Sequence, residues 1–406
     1  MIPRIYQTLI EEYLDYFPCV TVVGPRQCGK TTLIRQVQGQ WEHFDLESMA
    51  DFDQIAGDPD LFFRQYPENL TIDEAQLLPS VFAALRVAID RDRTKKGRFI
   101  ISGSSSPALL KSISESLAGR VGIIEMAPLS FCETLGADNA FLSMLLNKPE
   151  PEQYLDLKLK SDITTVEQFW LKGGYPEPWV EGSDRFHDLW MQQYVQTYID
   201  RDIAKLFTGL NVQKFRLFLQ TLAGLNGQVV NYSNVARAIG VSQPTARDYF
   251  QIAHGTFVWR QIPSYEKNAV KRIIKHPKGY YRDSGLINHL LRIENLRDLQ
   301  SHSNRGNMWE AVVIEEIIRY LSSKGIAFDY YYYRTGAGAE VDLVIESKLG
   351  LIPFEIKLGQ SVEKKSLRGL KDFVDERNCK VGFVINNDEK VRMYSEKIIG
   401  IPFSTF

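Results

Sequence analysis

Two groups of residues in this chain could do chemistry. The first is Gly24-Pro25-Arg26-Gln27-Cys28-Gly29-Lys30-Thr31-Thr32, set directly after the apolar run 19–23 and before Leu33, Ile34 and Val37. Gly24 and Gly29 let the backbone turn tightly, so successive N–H groups point into one concavity that suits phosphate oxygens. In a Gly-x-x-x-x-Gly-Lys-Thr loop, Lys30 is expected to reach the outer phosphates and the Thr31 hydroxyl to ligate magnesium. All of residues 24–32 are therefore expected to line a nucleoside triphosphate site. Further along, Asn69-Leu-Thr-Ile-Asp73-Glu74 ends in two adjacent carboxylates. Asp73 is expected to hold the metal, and Glu74 to act as general base or position the attacking water. Ser104, with Ser105 in reserve, is the candidate sensor of the γ-phosphate. Arg120 either stabilises transition-state charge, in cis or on a neighbour's nucleotide, or is a surface ion-pair partner.

The second group lies near the end of the sequence. Asp342 opens one strand, and Glu355-Ile-Lys357 follows on the strand paired with it. Residues two apart share a strand face, so Glu355 and Lys357 point the same way. Asp342 and Glu355 could then chelate magnesium, Lys357 could orient or activate water, and Glu310 could complete the metal shell. Clustered carboxylates repel without a cation, so the pattern itself hints at metal. The bland alternative is a nuclease-like fold without activity, or ordinary charge alternation on surface strands.

Alternating strands and helices must position these groups. A helix over 6–16 precedes the first strand and its loop. Strands follow at 41–46, 69–74, 98–105 and 121–126, with a helix over 79–90. That order requires right-handed crossovers and a parallel sheet with ligands at the carboxyl ends of its strands. From 129 to about 206 helical patterns take over, broken at Gly173-Gly-Tyr-Pro, and read as a lid. Arg201 and Asp202 pair with the lid or the phosphates, or lie on a solvated helix face. Next come an apolar-faced helix over 214–225, a short helix over 231–240 and a third opened by Ser242 as N-cap with Pro244 in its first turn. Strands at 256–263 and 280–282 complete a winged helix-turn-helix pattern. The basic run between them holds Lys267, Lys271, Arg272, Lys275 and Lys278. If the module binds duplex DNA, Gln243, Thr245 and Arg247 face the groove and the lysines face phosphates. If it is a protein-interaction module, the run is a solvated edge. A strongly amphipathic helix opens at Asn307, and the tyrosines of 328–333 read as hairpin packing.

Composition narrows the classes. At 406 residues the chain is too long for one ordinary core, and about 150 residues per domain suggests two or three. A hydrophobic fraction of 44% with 24% charged residues is ordinary for a globular protein, and a net charge of −2 gives no global attraction to nucleic acid or anionic membrane. Four scattered cysteines without a Cys-x-x-Cys pair argue against a disulfide frame or zinc site. No basic-then-apolar leader and no run near the roughly 18 apolar residues of a membrane span are present, so a cytoplasmic protein with no membrane partner is expected.

The whole chain resembles a large bacterial and archaeal ATPase family that joins an AAA-type P-loop domain to a C-terminal domain of unknown function 4143. Gly-Pro-Arg-Gln-Cys-Gly-Lys-Thr-Thr, Ile-Asp-Glu-Ala-Gln, Ser-Gly-Ser-Ser and Leu-Ala-Gly-Arg carry the likeness in the first part. Tyr198-Ile-Asp-Arg-Asp-Ile, Asp283-Ser-Gly-Leu and Gly-Ala-Glu-Val-Asp with Glu-Ile-Lys carry it in the second. The last pair is also similar to restriction-endonuclease-like, PD-(D/E)xK folds. Thr71 departs from the pattern, where a larger apolar residue is usual. The resemblance implies magnesium-dependent ATP hydrolysis through Lys30, Thr31, Asp73 and Glu74, and names no substrate. The expected fold is therefore α/β: an AAA-type parallel sheet with helical lid over 1–205, a winged helix-turn-helix over 206–280 and a nuclease-like α/β domain over 281–406. The expected function is an ATPase coupling nucleotide state to nucleic-acid binding or processing. Its rivals are a nucleotide-gated switch using its later modules for protein contacts and homo-oligomerisation, and a working magnesium-dependent nuclease.

Overall fold

Continuous apolar runs make the first sheet. β1 (Cys19–Gly24) is buried along its whole length, as a parallel strand covered on both faces must be. It lies between β4 (Phe99–Ser104) and β5 (Val121–Glu125), while β2 (Glu42–Asp45) and β3 (Leu70–Asp73) extend the sheet in the order β2-β3-β4-β1-β5. All four pairings are parallel. Alternation sends Val20 and Val22 to one face, against Leu9, Ile10, Leu33 and Ile34. Cys19 and Val23 face the other side, with Ile55, Phe62, Val81 and Leu85. The strands match the sequence expectation. Helices Met49–Gly57 and Pro59–Gln65, capped by Ser48 and Asp58, had no counterpart in it. The computed structural model describes residues 2–37, 40–104, 116–147, 149–207, 209–266, 276–336 and 338–406.

Helices dominate from Phe131 to Leu206, and a π-helical stretch (Val195–Asp202) runs into the last of them. The Gly173-Gly174 break has a steric cause. Gly173 takes φ +73°, and a Cβ on Gly174 would stand 2.2 Å from the Leu129 carbonyl oxygen, so only glycine lets these segments touch.

Three helices follow, Val212–Gly224, Tyr232–Ile239 and Gln243–Gly255, with Ser242 capping the third through Thr245 N–H. β6 (Trp259–Ile262) and β7 (Lys278–Tyr281) then pair antiparallel. Gln243 and Arg247 are exposed on the third helix and Thr245 is half-buried. Lys267, Lys271, Arg272 and Lys275 lie outside the described residues.

The C-terminal sheet has six strands: β8 (Phe328–Arg334), β9 (Glu340–Ser347), β10 (Gly350–Ile356), β11 (Gly382–Asn386), β12 (Arg392–Ser395) and β13 (Ile398–Pro402). Their order is β12-β13-β11-β10-β9-β8, with β10-β11 and β11-β13 parallel and the rest antiparallel. The helix Arg305–Ser323 departs from the amphipathic expectation: Glu310, Glu315, Glu316 and Arg319 are buried along with its apolar residues. Arg260 and Lys278 from neighbouring elements neutralise Glu315 and Glu310, and Arg319 pairs with Glu316 on the helix itself. One hydrophobic cluster runs from Phe131 through the three helices to Phe406, and a second, around Leu370, Phe373 and Val384, packs the other face of the C-terminal sheet.

Candidate functional site

The loop at the carboxyl end of β1 opens on a cleft of about 530 Å³ lined by Arg26, Gln27, Gly29, Lys30, Thr31, Thr32, Asp73 and Glu74. Gly24, Pro25 and Cys28 lie behind this lining. A Cβ on Gly24 would meet the Met126 carbonyl oxygen at 2.2 Å, and Gly29 takes φ +94°, so both glycines are required by geometry. Lys30 is buried at the start of the following helix, and its Nζ donates to the carbonyls of Gly24 (3.2 Å) and Pro25 (2.9 Å). Among the described residues no carboxylate competes for it there, so the ammonium can turn to an arriving phosphate.

Across the cleft, Thr31 Oγ1 donates to Asp73 Oδ2, and Ser102 Oγ donates to Asp73 Oδ1. A hydroxyl and a carboxylate in direct contact can share the shell of one hard cation, so these residues fit magnesium. Glu74 sits at φ +51°, in the left-handed region, and its N–H donates to Asp73 Oδ1 (2.9 Å). Its Oε2 accepts from Ser104 Oγ (3.0 Å), Ser104 N–H (3.4 Å) and Gln76 Nε2. Ser104 thus stands where the sequence puts it, while Ser105 lies outside the described residues.

Two expectations change. Arg120 sits at the amino end of β5, the edge of the sheet opposite the loop, and pairs with Asp90 through Nε (2.7 Å) and Nη2 (2.9 Å). A five-residue strand places it about 17 Å from the phosphate edge, too far for action in cis. Asp202, read as pairing with the lid or the phosphates or as lying on a solvated helix face, instead binds Arg26 of the loop, which also reaches Glu47 at 2.9 Å. Arg201 stays exposed beside it.

The second group gathers around a separate cleft of about 1170 Å³, lined in part by Glu310, Asp342, Glu355 and Lys357. Lys357 Nζ donates to Glu355 Oε1 (2.6 Å), and Asp342 Oδ2 accepts from Ile356 N–H (2.7 Å). Lys278, expected on a phosphate-facing surface, is buried here instead. Its Nζ stands 3.2 Å from Glu310 Oε1, 2.5 Å from Glu340 Oε1 and 3.9 Å from Asp342 Oδ1. The Tyr280 hydroxyl also donates to Glu310. Burial and then mutual repulsion raise the Glu310 and Glu355 carboxyls above their ordinary range, and burial raises Asp342. Burial lowers the affinity of Lys278 for its proton, but Glu310, Asp342 and Glu340 outweigh it and hold the lysine charged. Glu355 Oε2 has no hydrogen-bond partner among the described residues. Among the described residues no group of three His, Cys, Asp or Glu side chains is arranged to hold a metal ion. With an ammonium seated among the carboxylates, the predicted Asp342–Glu355 magnesium pair does not fit a divalent ion as arranged.

An AAA domain family matches residues 16–135, and a domain of unknown function, DUF4143, matches 305–406. Uncharacterized protein Rv2008c of Mycobacterium tuberculosis is 32% identical over 388 residues, covering 95% of this chain and 80% of that protein. This chain belongs to the AAA-type P-loop ATPase family that carries DUF4143. Another domain of unknown function, DUF8612, matches 163–297 of this family member. An uncharacterized protein of Haemophilus influenzae is 23% identical, covering 73% of the chain and 74% of that protein. Among solved structures, the Walker-type ATPase PABY2304 of Pyrococcus abyssi aligns with a TM-score of 0.46 and 14% identity, over 70% of this chain and 94% of that one. Among the described residues no helix is long and apolar enough to cross a membrane.

Several residues that hold this ATPase domain to its later modules escaped the sequence reading. Arg4 donates to the carbonyls of Cys28 (2.6 Å) and Ala127 (2.7 Å) and to Glu133 Oε1 (2.8 Å). Phe131 N–H donates to Glu316 (2.8 Å), which pairs with Arg319 (3.2 Å), and Arg319 donates to the Arg282 carbonyl. Arg282 binds Glu125 (2.6 Å) and Glu315 (3.4 Å), and Arg260 joins Glu315 to the Tyr330 hydroxyl of β8. A series of buried hydrogen bonds and ion pairs, joined through the backbone between Phe131 and Glu133, therefore links the loop to the C-terminal sheet. Ser102 was legible, lying two residues before Ser104 on the same strand face. Arg4 and the buried ionic partners leave no local pattern.

Proposed function

We propose that this chain is a magnesium-dependent ATPase whose nucleotide state controls engagement of nucleic acid. The observation that carries the proposal is the contact of Thr31 with Asp73 beside Glu74 and the Lys30 loop. Thr31 and Asp73 would hold magnesium, which when bound would supply charge neutralisation at the phosphate oxygens. Lys30 leaves the Gly24 and Pro25 carbonyls for the outer phosphates, and the loop amides of 24–31 hold the rest. Glu74 takes the proton of the water that attacks the γ-phosphorus, and ADP departs with the broken P–O bond. Ser104 and Gln76 fix the Glu74 carboxylate, so they act as positioning residues.

The division proposed is 1–205 for hydrolysis, 206–280 for nucleic acid and 281–406 for the nuclease-like fold. Exposed Gln243 and Arg247 on the third helix support groove contact, and Lys267, Lys271, Arg272 and Lys275 are the phosphate-facing set once Lys278 is removed from it. Changing Lys267 and Lys271 to glutamate should weaken duplex binding across sequences and flatten its salt dependence by roughly one unit for each phosphate left without its lysine. Unaltered binding at moderate salt would remove the nucleic-acid reading. ATP turnover measured with and without duplex DNA, RNA and hybrids then identifies the stimulating ligand. The buried series of hydrogen bonds and ion pairs favours a second reading, a nucleotide-gated switch that acts on protein partners or on further copies of this chain. Turnover indifferent to every nucleic acid would support it.

A further inference from the structure

We propose that Lys278 is a tethered cation that occupies the C-terminal acid cluster in place of a divalent metal ion, so that metal enters only when β7 withdraws the lysine. Glu310, Asp342 and Glu355 come from three elements and are each more than nine-tenths buried. Such a cluster needs positive charge inside it. Lys278 supplies that charge from outside the nuclease-like fold, because β7 belongs to the hairpin after the three helices. A magnesium ion requires near-octahedral oxygens at about 2.0–2.1 Å, and an ammonium bonded to Glu310 and Glu340 and standing 3.9 Å from Asp342 takes that space. One oxygen is left over. Glu355 lines the cleft, and its Oε2 is buried and without a donor among the described residues, since Lys357 binds the other oxygen. That leftover acceptor is what a cluster built for a divalent ion, but supplied with charge by Lys278 and Lys357 instead, would show.

The lysine is also wired to the module that could move it. Gly227 N–H donates to the Gly279 carbonyl (2.8 Å), Gly279 N–H to the Gln228 carbonyl (3.2 Å), and Val230 N–H to the Pro277 carbonyl (2.8 Å). The segment joining the first two of the three helices therefore backs the strand that carries Lys278. A Cβ on Gly279 would stand 2.0 Å from the Trp259 ring, so the register of β7 is fixed by close contact. Displacement of the helices by a ligand would pull the ammonium from the carboxylates.

The test is Mn²⁺ binding to the full-length, nucleotide-free protein, read by the loss of the free-ion electron paramagnetic resonance signal. Lys278→Met should gain one Mn²⁺ held at least about tenfold more tightly than in wild type, and Glu355→Gln in that background should abolish the gain. Lys278→Arg, which keeps the charge, should gain nothing. Lys278→Met binding no tighter than wild type would overturn the proposal. The wild-type protein decides independently of any lysine variant: a micromolar Mn²⁺ site there that Glu355→Gln removes would also overturn it. These results leave the ATPase reading untouched, because that reading fails on Lys30 and not on Lys278.

Discussion

Replacing Arg4 with methionine removes a guanidinium that makes three hydrogen bonds at once, to Cys28 in the phosphate loop, to Ala127 after β5 and to Glu133. Arg4 and Glu133 are both almost wholly buried. Glu133 keeps Ile5 N–H (2.8 Å), Ser130 N–H (2.7 Å) and Ser130 Oγ (3.0 Å), but loses the guanidinium that neutralises it. Removing one partner of a buried pair typically costs about 3–5 kcal/mol, because the remaining charge stays desolvated. The bonds to the two carbonyls are already counted in that figure, since the same group makes all three. Urea unfolding should therefore show a drop in stability of about 3–5 kcal/mol. In the double variant Arg4→Met/Glu133→Gln much of it should return, giving a coupling of about 1–3 kcal/mol. Because Arg4 fixes the Cys28 carbonyl, affinity for a fluorescent ATP analogue should fall as well. A drop below about 1 kcal/mol together with unchanged nucleotide affinity would refute the reasoning.

Glu316 gives a pH-dependent prediction. Burial pushes its carboxyl up to about 7, against the opposing pull of Arg319 and Phe131 N–H. Between the unfolded value of 4.5 and 7, the folded chain holds a proton that the unfolded chain lacks, so this group's contribution to stability falls as pH rises through that window. Glu316→Gln mimics the protonated form. The variant-minus-wild-type stability should thus rise from pH 4.5 to 7 by up to about 3 kcal/mol, and a difference flat in pH would contradict it. Glu74→Gln should lower single-turnover ATP hydrolysis about 10²–10⁴-fold while leaving analogue affinity within about threefold. Hydrolysis near the wild-type rate would dismiss Glu74 as the base.

The nucleotide cleft was largely legible in the sequence because its parts are local. The glycines, Lys30 and Thr31 must keep fixed spacing on one loop, and Asp73-Glu74 must end a buried strand. Lys278 was not legible, since a lysine in a basic run looks the same whether it meets solvent or folds onto Glu310 and Asp342. Arg120 carried no mark of which sheet edge it would occupy until the parallel register of β5 placed it. The helix Arg305–Ser323 misled for a related reason: Glu315, Glu316 and Arg319 look like a polar face, and besides the local Glu316–Arg319 pair it is partners distant in sequence, Arg260, Arg282 and Phe131 N–H, that allow them inside. Ion pairs across such separations leave no periodicity to read.

The central claim is that the loop 24–31 holds a triphosphate against the Asp73–Glu74 pair. It is tested most directly by ATP turnover of wild-type and Lys30→Ala protein with magnesium present. Wild type should release phosphate and Lys30→Ala should lose at least about a hundredfold of that rate; equal turnover by the two proteins would contradict the account.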